Sequence, residues 1–352
     1  MKLTVLNVAY PLATVSRDAV GGAEQVLAAL DRALVEAGHR SLVVASAGSQ
    51  VRGRLIETPA ETGLLDEAAK ARAQARHRLA IVETLKRYPV DVVHLHGIDF
   101  EAYMPAHVPT LVTLHLPLDW YRPAAPQPKR PDLWLCPVSA NQAARAPEGS
   151  QLHPPIPNGV DVRSFSSPHA KRDFALLLSR ICPEKGIHLG LDAAQAASMP
   201  LLIGGQVYPY GSHQRYFDDE VAPRLDARRR FLGPLGLERK RRLLGAARCL
   251  LVPSLAAETS SLVAMEALAA GTPVVAFPNG ALADIIEEAR TGFLVRDVGE
   301  MARAMRATSK LDPQDCRRAA QERFSLDRMI SGYFEAYQQL AALGRPANRA
   351  AS

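Results

Sequence analysis

The stretch from residue 249 to residue 277 constrains the fold most strongly. An apolar, β-branched run stands at each of its ends, and a run of good helix formers lies between them. Ser260 or Ser261 is a favoured N-cap for this helix, and Gly271 followed by Thr272-Pro273 is a typical helix end. The stretch therefore predicts a strand, a loop, a helix and a second strand, which is the repeating unit of a parallel α/β sheet.

The same alternation of short apolar runs and helical segments continues along the rest of the chain. It is interrupted once, at Ser166-Ser167-Pro168, and then restarts. The predicted fold class is therefore α/β, with two successive doubly wound, Rossmann-like domains over residues 1–166 and 167–325. Residues 326–343 predict a final helix with an apolar stripe, and residues 344–352 predict a frayed tail.

Composition and charge limit the partners of the chain. Of its 352 residues, 47% are hydrophobic and 22% are charged, as in an ordinary globular protein, and the formal net charge is +6. A basic protein favours anionic partners such as nucleotide phosphates or an acidic membrane surface. Because the basic residues form no continuous stripe, nucleic acid is not expected as a partner.

The cysteines and the apolar runs indicate the cellular compartment. The four cysteines lie far apart and form no C-x-x-C motif, so they suggest neither a zinc site nor a disulfide framework. No apolar run approaches the roughly 20 residues that span a bilayer. We therefore expect a soluble protein of the reducing cytoplasm, with at most a peripheral contact at the inner membrane face.

Residues 64–88 predict a long basic helix that is the candidate for such a contact. A basic amphipathic helix docks on anionic lipid, or it packs its apolar side on the sheet and leaves the basic side in water. Its predicted apolar side consists of Leu64, Leu65, Leu79, Val82 and Leu85.

The first βα unit argues against a dinucleotide-binding dehydrogenase. A long loop follows the first strand, no G-x-G-x-x-G motif is present, and no acidic residue ends the second strand. Gly21-Gly22 opens the first helix instead. A glycine pair there suits a backbone that touches phosphate or sugar, and a simple packing turn is an equal alternative.

Two glutamates flank the start of the helix in the opening stretch. Glu258 lies in the loop before it, and Glu266 lies about five residues inside, roughly 7–8 Å along the axis. The N-terminus of a helix that follows a parallel strand is an anion site. Glu266 has apolar neighbours and needs hydroxyls or a cation as a partner. The alternatives are an internal salt bridge for Glu266 and a solvated loop for Glu258.

These two glutamates, eight positions apart on a loop and a helix, resemble the nucleotide-sugar signature of family 4 retaining glycosyltransferases. Thr259-Ser260-Ser261 stands where that family usually has a Pro-Phe-Gly-like triplet. The resemblance implies the GT-B fold, in which two Rossmann-like domains face each other across a crevice. It assigns the acceptor to the N-terminal domain and the donor to the C-terminal domain, and it implies that the helix 326–343 crosses back to the N-terminal domain.

The resemblance also implies roles for individual residues. It assigns catalysis to His115, Glu258, Arg180 and Lys185. It assigns the donor diphosphate to Gly21, Gly22, Arg180, Lys185, Ser261, Leu262 and Val263. It assigns the transferred sugar to His115, Glu258, Thr259 and Ser260, the ribose to Glu266 and the nucleobase to Leu235. The acceptor is expected near His96, which ends a predicted strand as His115 does, and near Trp120 and Tyr121 in the aromatic loop 119–131.

The expected activity is transfer of a hexose, with retention, from a nucleoside-diphosphate sugar to an unidentified acceptor. UDP is favoured over GDP, and the acceptor is a small molecule, a glycan or a lipid-linked molecule. No cofactor and no metal ion are expected, because basic residues and a helix N-terminus face the diphosphate; the run Asp218-Asp219-Glu220 is interpreted as a solvated helix start. Another GT-B enzyme, such as a phosphorylase or a nucleotide-sugar epimerase, and a non-catalytic nucleotide-sugar sensor are the alternatives.

Overall fold

A computed structural model describes residues 2–121, 130–166 and 169–344 of the protein. These residues form two compact units. The first unit contains residues up to 157 together with those from 329 onward, and the second contains residues 158–328.

The first unit is built on a six-stranded parallel sheet with helices packed against it. Its strands are β1 (Thr4–Val8), β2 (Arg40–Ser46), β3 (Arg54–Thr58), β4 (Val92–Leu95), β5 (Thr110–Leu114) and β6 (Leu133–Pro137). Its first three α-helices are α1 (Gly22–Glu36), α2 (Glu67–Arg87) and α3 (Ala140–Ala144). Short 3₁₀ helices cover Phe100–Ala102 and Leu118–Trp120.

The second unit has a six-stranded parallel sheet of its own. Its strands are β7 (Ala175–Leu178), β8 (Leu201–Gly204), β9 (Arg229–Phe231), β10 (Cys249–Val252), β11 (Val274–Ala276) and β12 (Gly292–Leu294). Its helices are α4 (Val162–Phe165), α5 (Ile187–Ala196), α6 (Gly211–Tyr216), α7 (Leu237–Ala246), α8 (Leu262–Ala269), α9 (Leu282–Ile285), α10 (Val298–Ala307) and α11 (Pro313–Arg323). Further helical turns cover Pro183–Lys185, Phe217–Val221, Ala222–Arg224 and Thr308–Lys310.

The two sheets have the same topology. The first sheet has the order β3-β2-β1-β4-β5-β6, and the second has the order β12-β11-β10-β7-β8-β9. Numbered within its own unit, each is the 3-2-1-4-5-6 order of the doubly wound Rossmann fold. The strand order therefore reverses between β1 and β4 in the first unit and between β7 and β10 in the second. In such sheets ligands bind outside the carboxyl ends of the strands at this point.

The structure confirms the predicted inner strands, which were recognisable in the sequence because they are apolar on both faces. Strands β1, β4, β5, β10 and β11 are buried at every position, as expected where helices cover both sides of a parallel sheet. The edge strand β3 escaped prediction. It carries Arg54 and Glu57 and is half-exposed, so it lacks the apolar signal of its neighbours.

The boundary between the units lies earlier than the predicted break at residue 166. The segment from Asn158 belongs to the second unit because Val160, Val162 and Phe165 are buried in that unit's core. Val160 also exchanges backbone hydrogen bonds with residues 324 and 326. Part of the predicted linker, residues 167 and 168, lies outside the described residues, as does the predicted tail from residue 345.

The last helix, α12 (Leu326–Leu343), enters the core of the first unit from Met329 onward. Its buried residues follow helical spacing, as the sequence predicts. They are Met329, Tyr333, Ala336, Tyr337, Leu340 and Ala341.

The long basic helix buries a different face from the one predicted. Asp66 caps the N-terminus of α2 by accepting from Ala69 N at 2.8 Å. Leu79 and Val82 are exposed, whereas Ala69, Ala73, His77, Ile81 and Thr84 are buried. The buried face therefore mixes small, polar and apolar residues, and apolar spacing alone did not predict it. Within the described ranges, no helix is long and apolar enough to cross a bilayer.

Gly186 joins the turn Pro183–Lys185 to α5 in a conformation that requires glycine. Its φ is +60°, and a Cβ on it would lie 2.1 Å from the Pro253 carbonyl oxygen at the end of β10. A side chain here would therefore strain the backbone and push apart the loops that follow β7 and β10.

We predict that Gly186→Ala destabilises the second unit more than Gly233→Ala does. Gly233 also has a positive φ, +69°, but a Cβ added there would meet nothing within 4 Å. Gly233→Ala should cost about 1–2 kcal/mol of unfolding free energy from the left-handed backbone alone. Gly186→Ala should cost about 1–3 kcal/mol more, because of the contact with Pro253. Urea unfolding followed by circular dichroism measures both; equal losses would contradict the close approach.

Candidate functional site

The loops after β7 and β10 bring together the charged residues singled out in the second unit. The two strands are neighbours on either side of the switch point. The loop after β7 carries Arg180 and Lys185, and the loop after β10 carries Glu258. Parallel strands place both loops at the same edge of the sheet, where open α/β sheets bind their ligands.

Backbone hydrogen bonds fasten these loops to each other. Leu255 N and Ala256 N both donate to the Glu184 carbonyl oxygen, at 2.8 and 3.3 Å. The segment around Glu258 is also held by the loop after β11, because Ala281 N donates to the Glu258 carbonyl oxygen at 2.7 Å. The positions of Lys185 and Glu258 are thus set by main-chain contacts rather than by their side chains.

Glu258 accepts two hydrogen bonds on one carboxylate oxygen. Lys185 Nζ lies 2.5 Å from Oε1, and the Ser254 hydroxyl donates to the same atom. The two charged side chains are only 12% and 23% exposed, so the pair is largely shielded from water. The solvated-loop alternative for Glu258 is therefore wrong.

Two residues that support Glu258 were not predicted. Ser254 follows β10 after Pro253 and binds the carboxylate, and Asn279 Nδ2 donates to the Ser254 carbonyl oxygen at 2.7 Å. Sequence reasoning had a signal for them, since polar residues within a few positions of the end of a buried parallel strand lie at the ligand-binding edge.

Arg180 differs from Lys185 in having no acidic partner. It is half-buried, and among the residues that the structure describes its guanidinium takes part in no ion pair. The Glu184 carboxylate lies within its electrostatic reach but forms no direct ion pair with it. A half-buried guanidinium that is not held in a direct ion pair can attract an anion to the switch point.

Glu266 forms the internal salt bridge that was the alternative to a ligand role. Its Oε1 lies 2.7 Å from Lys240 Nζ on α7, and the side chains are 5% and 12% exposed. Lys240 Nζ also lies 5.5 Å from the centre of the Phe165 ring, within cation–π distance. The buried carboxylate is thus neutralised by Lys240, and its assignment to a ribose stays a prediction.

The N-terminus of α8 offers donors to an anion. Ser261 stands at the predicted N-cap, but its side chain makes no capping hydrogen bond. Thr259 and Ser261 are buried, and Leu262 and Val263 are half-buried. The buried Ser260 hydroxyl has no hydrogen-bond partner in the described part of the chain. Leu235, assigned to the nucleobase, is buried and its side chain packs over Gly204 at the end of β8.

In the first unit, His96 and His115 follow the carboxyl ends of neighbouring strands and touch. His96 Nδ1 lies 3.0 Å from His115 Nε2, within hydrogen-bond distance, and the rings stack with centroids 5.2 Å apart. His94 lies beneath them, 2.7 Å from the Tyr337 hydroxyl and 2.7 Å from the Thr113 hydroxyl. His96 Nε2 is buried without a partner among residues 2–121, 130–166 and 169–344.

Burial keeps this histidine cluster uncharged. It lowers the pKa of His115 to about 3 and lowers the pKa values of His94 and His96 well below 6.5. At neutral pH His115 is therefore a neutral imidazole, able to donate or accept one hydrogen bond at each nitrogen, and not a cation.

The other candidates in the first unit have structural contacts. The Glu24 carboxylate lies against Gly21, where a Cβ would be 1.8 Å from Glu24 Oε2, so a carboxylate occupies the start of α1 beside Gly22. Tyr121 is buried and its hydroxyl accepts from Leu116 N at 3.3 Å, while Trp120 is 39% exposed. Most of the aromatic loop, residues 122–129, lies outside the described residues.

Metal-ligating side chains gather at one place within the described residues. Cys182, Glu184 and His213 have ligand atoms within 4.8 Å of one another. The acidic run from Asp218 belongs instead to a helical turn, where Asp218 accepts from Gln214 and Glu220 pairs with Arg224. All four cysteines are free, and burial raises each of their thiol pKa values to about 12, so none is a reactive thiolate.

Comparison with family models decides the classification. Residues 20–146 match the model described as Glycosyltransferase Family 4, and residues 172–310 match the model described as Glycosyl transferases group 1. The chain belongs to glycosyltransferase family 4.

Known members share parts of this family 4 sequence. It is 37% identical over 155 residues to a D-inositol 3-phosphate glycosyltransferase of Mycobacterium sp. (strain KMS), which is 41% of this chain and 34% of that protein. It is 32% identical over 152 residues to a phosphatidyl-myo-inositol mannosyltransferase of Mycobacterium tuberculosis (strain ATCC 25618 / H37Rv), which is 40% of this chain and 39% of that protein. The matches thus span well under half the length of these relatives.

Solved structures match over nearly the whole chain. AviGT4, a glycosyltransferase involved in avilamycin A biosynthesis, is 28% identical with a TM-score of 0.72, and the match covers 97% of this chain and 98% of that one. A sucrose-phosphate synthase from Thermosynechococcus elongatus is 21% identical with a TM-score of 0.78, covering 97% and 100%. The family 4 chain therefore has the GT-B fold, with two Rossmann-like domains, as the sequence predicts.

We predict that the first unit loses stability as the pH falls from 6.5 to 5. The three clustered histidines stay neutral in the folded unit but bind protons near pH 6.5 once unfolded, so stability is complete above that pH and declines below it. Each contributes about 1.4 kcal/mol per pH unit, and buried His77, whose pKa is lowered to about 4, adds in the same direction.

Urea unfolding followed by tryptophan fluorescence measures this slope. Both tryptophans, Trp120 and Trp134, lie in the first unit. His96→Asn removes one titrating group and should lower the slope by about 1.4 kcal/mol per pH unit, whatever its effect on absolute stability. An unchanged slope would show that His96 is protonated in the folded protein.

Proposed function

We propose that this family 4 chain transfers a hexose from a UDP-sugar to an acceptor hydroxyl with retention of configuration. The observation that carries the proposal is the contact of Lys185 with Glu258 at the switch point, beside the unpaired Arg180. Two cations and a carboxylate side by side suit a ligand with an anionic half and a hydroxyl-rich half. A nucleotide sugar has that composition.

The chemical task is to stabilise a departing diphosphate. Arg180, Lys185 and the uncapped N-terminus of α8 supply positive charge and N–H donors, and each such donor typically contributes about 3 kcal/mol to the transition state. The fold holds Arg180 and the N-terminus of α8 in place before the donor arrives, so of these groups only the Lys185 side chain has to reorganise. We propose that no metal ion takes part in the transfer.

Lys185 has to change partners when the donor binds. In the structure its ammonium group neutralises Glu258. We propose that the diphosphate draws Lys185 away, and that the released Glu258 carboxylate then accepts hydrogen bonds from sugar hydroxyls. The ion pair keeps both groups in place until the donor replaces it.

Retention is proposed through transfer on one face of the sugar. The acceptor oxygen forms its bond to the anomeric carbon on the side from which UDP leaves, the bond from that carbon to the diphosphate oxygen breaks, and the acceptor proton passes to the diphosphate. Double displacement needs a second carboxylate about 5–5.5 Å from the first. Glu266, the other glutamate of the signature, is instead assigned to the ribose. His115, as a neutral imidazole, is proposed to hydrogen-bond the sugar.

The direct test is release of UDP that depends on an acceptor. A panel of UDP- and GDP-hexoses is combined with a set of acceptors. The set includes inositol phosphates, because the relatives named above include a D-inositol 3-phosphate glycosyltransferase. Transfer should occur with a UDP-hexose. NMR of the product should show that the transferred sugar keeps the anomeric configuration it had in the donor. Adding Mg²⁺ or Mn²⁺ to chelator-treated protein should not raise the transfer rate. Binding without turnover across the panel would favour a sensor instead.

We predict that Glu258→Gln and Glu266→Gln have different kinetic effects. Glu258→Gln loosens the reacting sugar, so kcat should fall by about 10²-fold or more, whereas UDP affinity should hold or rise because Lys185 is released. Glu266→Gln removes a ribose contact present in ground and transition states alike, so the donor KM should rise with kcat nearly kept. Steady-state kinetics and calorimetric UDP titration measure these effects.

Lys240→Met is the matched control for Glu266→Gln. Both variants break the same buried ion pair, but only Glu266→Gln removes the carboxylate assigned to the ribose. The donor KM should therefore rise much less in Lys240→Met. An equal rise would mean that Glu266 acts only through the ion pair, and a loss of UDP affinity in Glu258→Gln alone would reverse the proposed donor orientation.

A further inference from the structure

Three residues with different metal-ligating side chains form a cluster at the loop that carries Arg180 and Lys185. Cys182 precedes the turn Pro183–Lys185, Glu184 lies within it, and His213 lies on α6. Their potential ligand atoms lie within 4.8 Å of one another. The turn follows β7 in the sequence, whereas α6 follows β8. Neither the transfer chemistry nor the core packing requires this grouping.

Two polar atoms of the cluster have no partner. Glu184 Oε2 and His213 Nδ1 are buried atoms without a hydrogen-bond partner among the described residues. The Glu184 side chain does interact with the Cys182 thiol, within the cluster itself. His213 as a whole is only 9% exposed. Buried polar groups are almost always satisfied, so the unpartnered imidazole nitrogen and carboxylate oxygen of this cluster indicate that a further species binds there.

The donor set fits a zinc ion. Zn²⁺ displaces the proton of a thiol that it binds, and that proton passes to solvent. The resulting thiolate, the carboxylate and a neutral imidazole carry a summed charge of about −2, which balances a dication, and Zn²⁺ accepts sulfur, nitrogen and oxygen ligands. Bonds of about 2.0–2.3 Å on a tetrahedral ion place the ligand atoms about 3.4–3.8 Å apart. Side-chain rotations that move the ligand atoms by about 1 Å bring the cluster to the separations of a tetrahedral zinc site.

We propose that Cys182, Glu184 and His213 bind one Zn²⁺ ion, with water as the fourth ligand. The half-buried Glu184 side chain leaves a path for the ion from solvent. The ion takes no part in transfer. It ties the loop after β7 to α6, and so fixes the segment between Arg180 and Lys185 from behind. This proposal does not rest on the proposed transfer activity.

Zinc titration of the untagged, reduced full chain tests the proposal. Calorimetry and competition with a chromogenic chelator should give one Zn²⁺ per chain, and Co²⁺ in its place should show the thiolate-to-cobalt absorption band. Cys182→Ser should abolish that band, and Cys182→Ser and His213→Gln should each weaken zinc binding by more than about 100-fold, the upper end of the cost of losing an outer-shell partner.

Cys249→Ser and His188→Gln are the matched controls. Both residues lie in the second unit, outside the cluster, and both variants should bind zinc like the parent chain. Circular dichroism tests whether each variant is folded. If Cys182→Ser does not fold, the zinc affinity of His213→Gln tests the proposal instead. Absence of zinc binding in the parent chain, or binding that neither cluster variant weakens, would overturn the proposal and leave a bridging water between Glu184 and His213.

Discussion

The parallel pairing of β7 with β10 is the constraint on which the second unit's site depends. It sets two loops side by side at the carboxyl edge of the sheet, where Leu255 N and Ala256 N bind the Glu184 carbonyl oxygen. This main-chain link decides which side chains meet, and the Lys185–Glu258 ion pair is its consequence. Gly186 makes the link physically feasible, because any side chain there would meet the Pro253 carbonyl.

Buried charge explains why both glutamates of the signature are paired. A carboxylate that is removed from water and left alone is costly, so each of these buried glutamates needs a counterion. Lys185 has this role for Glu258 and Lys240 has it for Glu266. Arg180 forms no direct ion pair among the described residues, although the Glu184 carboxylate lies within its electrostatic reach.

Much of the fold could be predicted from the sequence, because parallel strands buried on both faces appear as short apolar runs between helices. The prediction failed where that signal was weak or misleading. Strand β3 carries charged residues at a sheet edge, and α2 buries a face that includes polar His77 and Thr84 while Leu79 and Val82 stay exposed. The candidate site was predictable where polar residues lie next to strand ends in the sequence. Lys185 and Glu258 satisfy this condition, and their contact follows from the topology. The partner of Glu266 does not, since Lys240 reaches it from a different helix.

The two units treat polar groups at their strand ends in opposite ways. In the second unit the polar groups are charged and largely paired, so an incoming anion can exchange partners with Lys185. In the first unit burial removes the charge altogether, and His94, His96 and His115 form a neutral hydrogen-bonded cluster. A neutral cluster cannot attract an anion by charge, but it offers hydrogen bonds to an uncharged group, since His96 Nε2 has no hydrogen-bond partner among the described residues. The difference in burial therefore gives the two units different chemistry at their strand ends: ion pairs that can exchange partners in the second unit, and neutral hydrogen-bonding groups in the first.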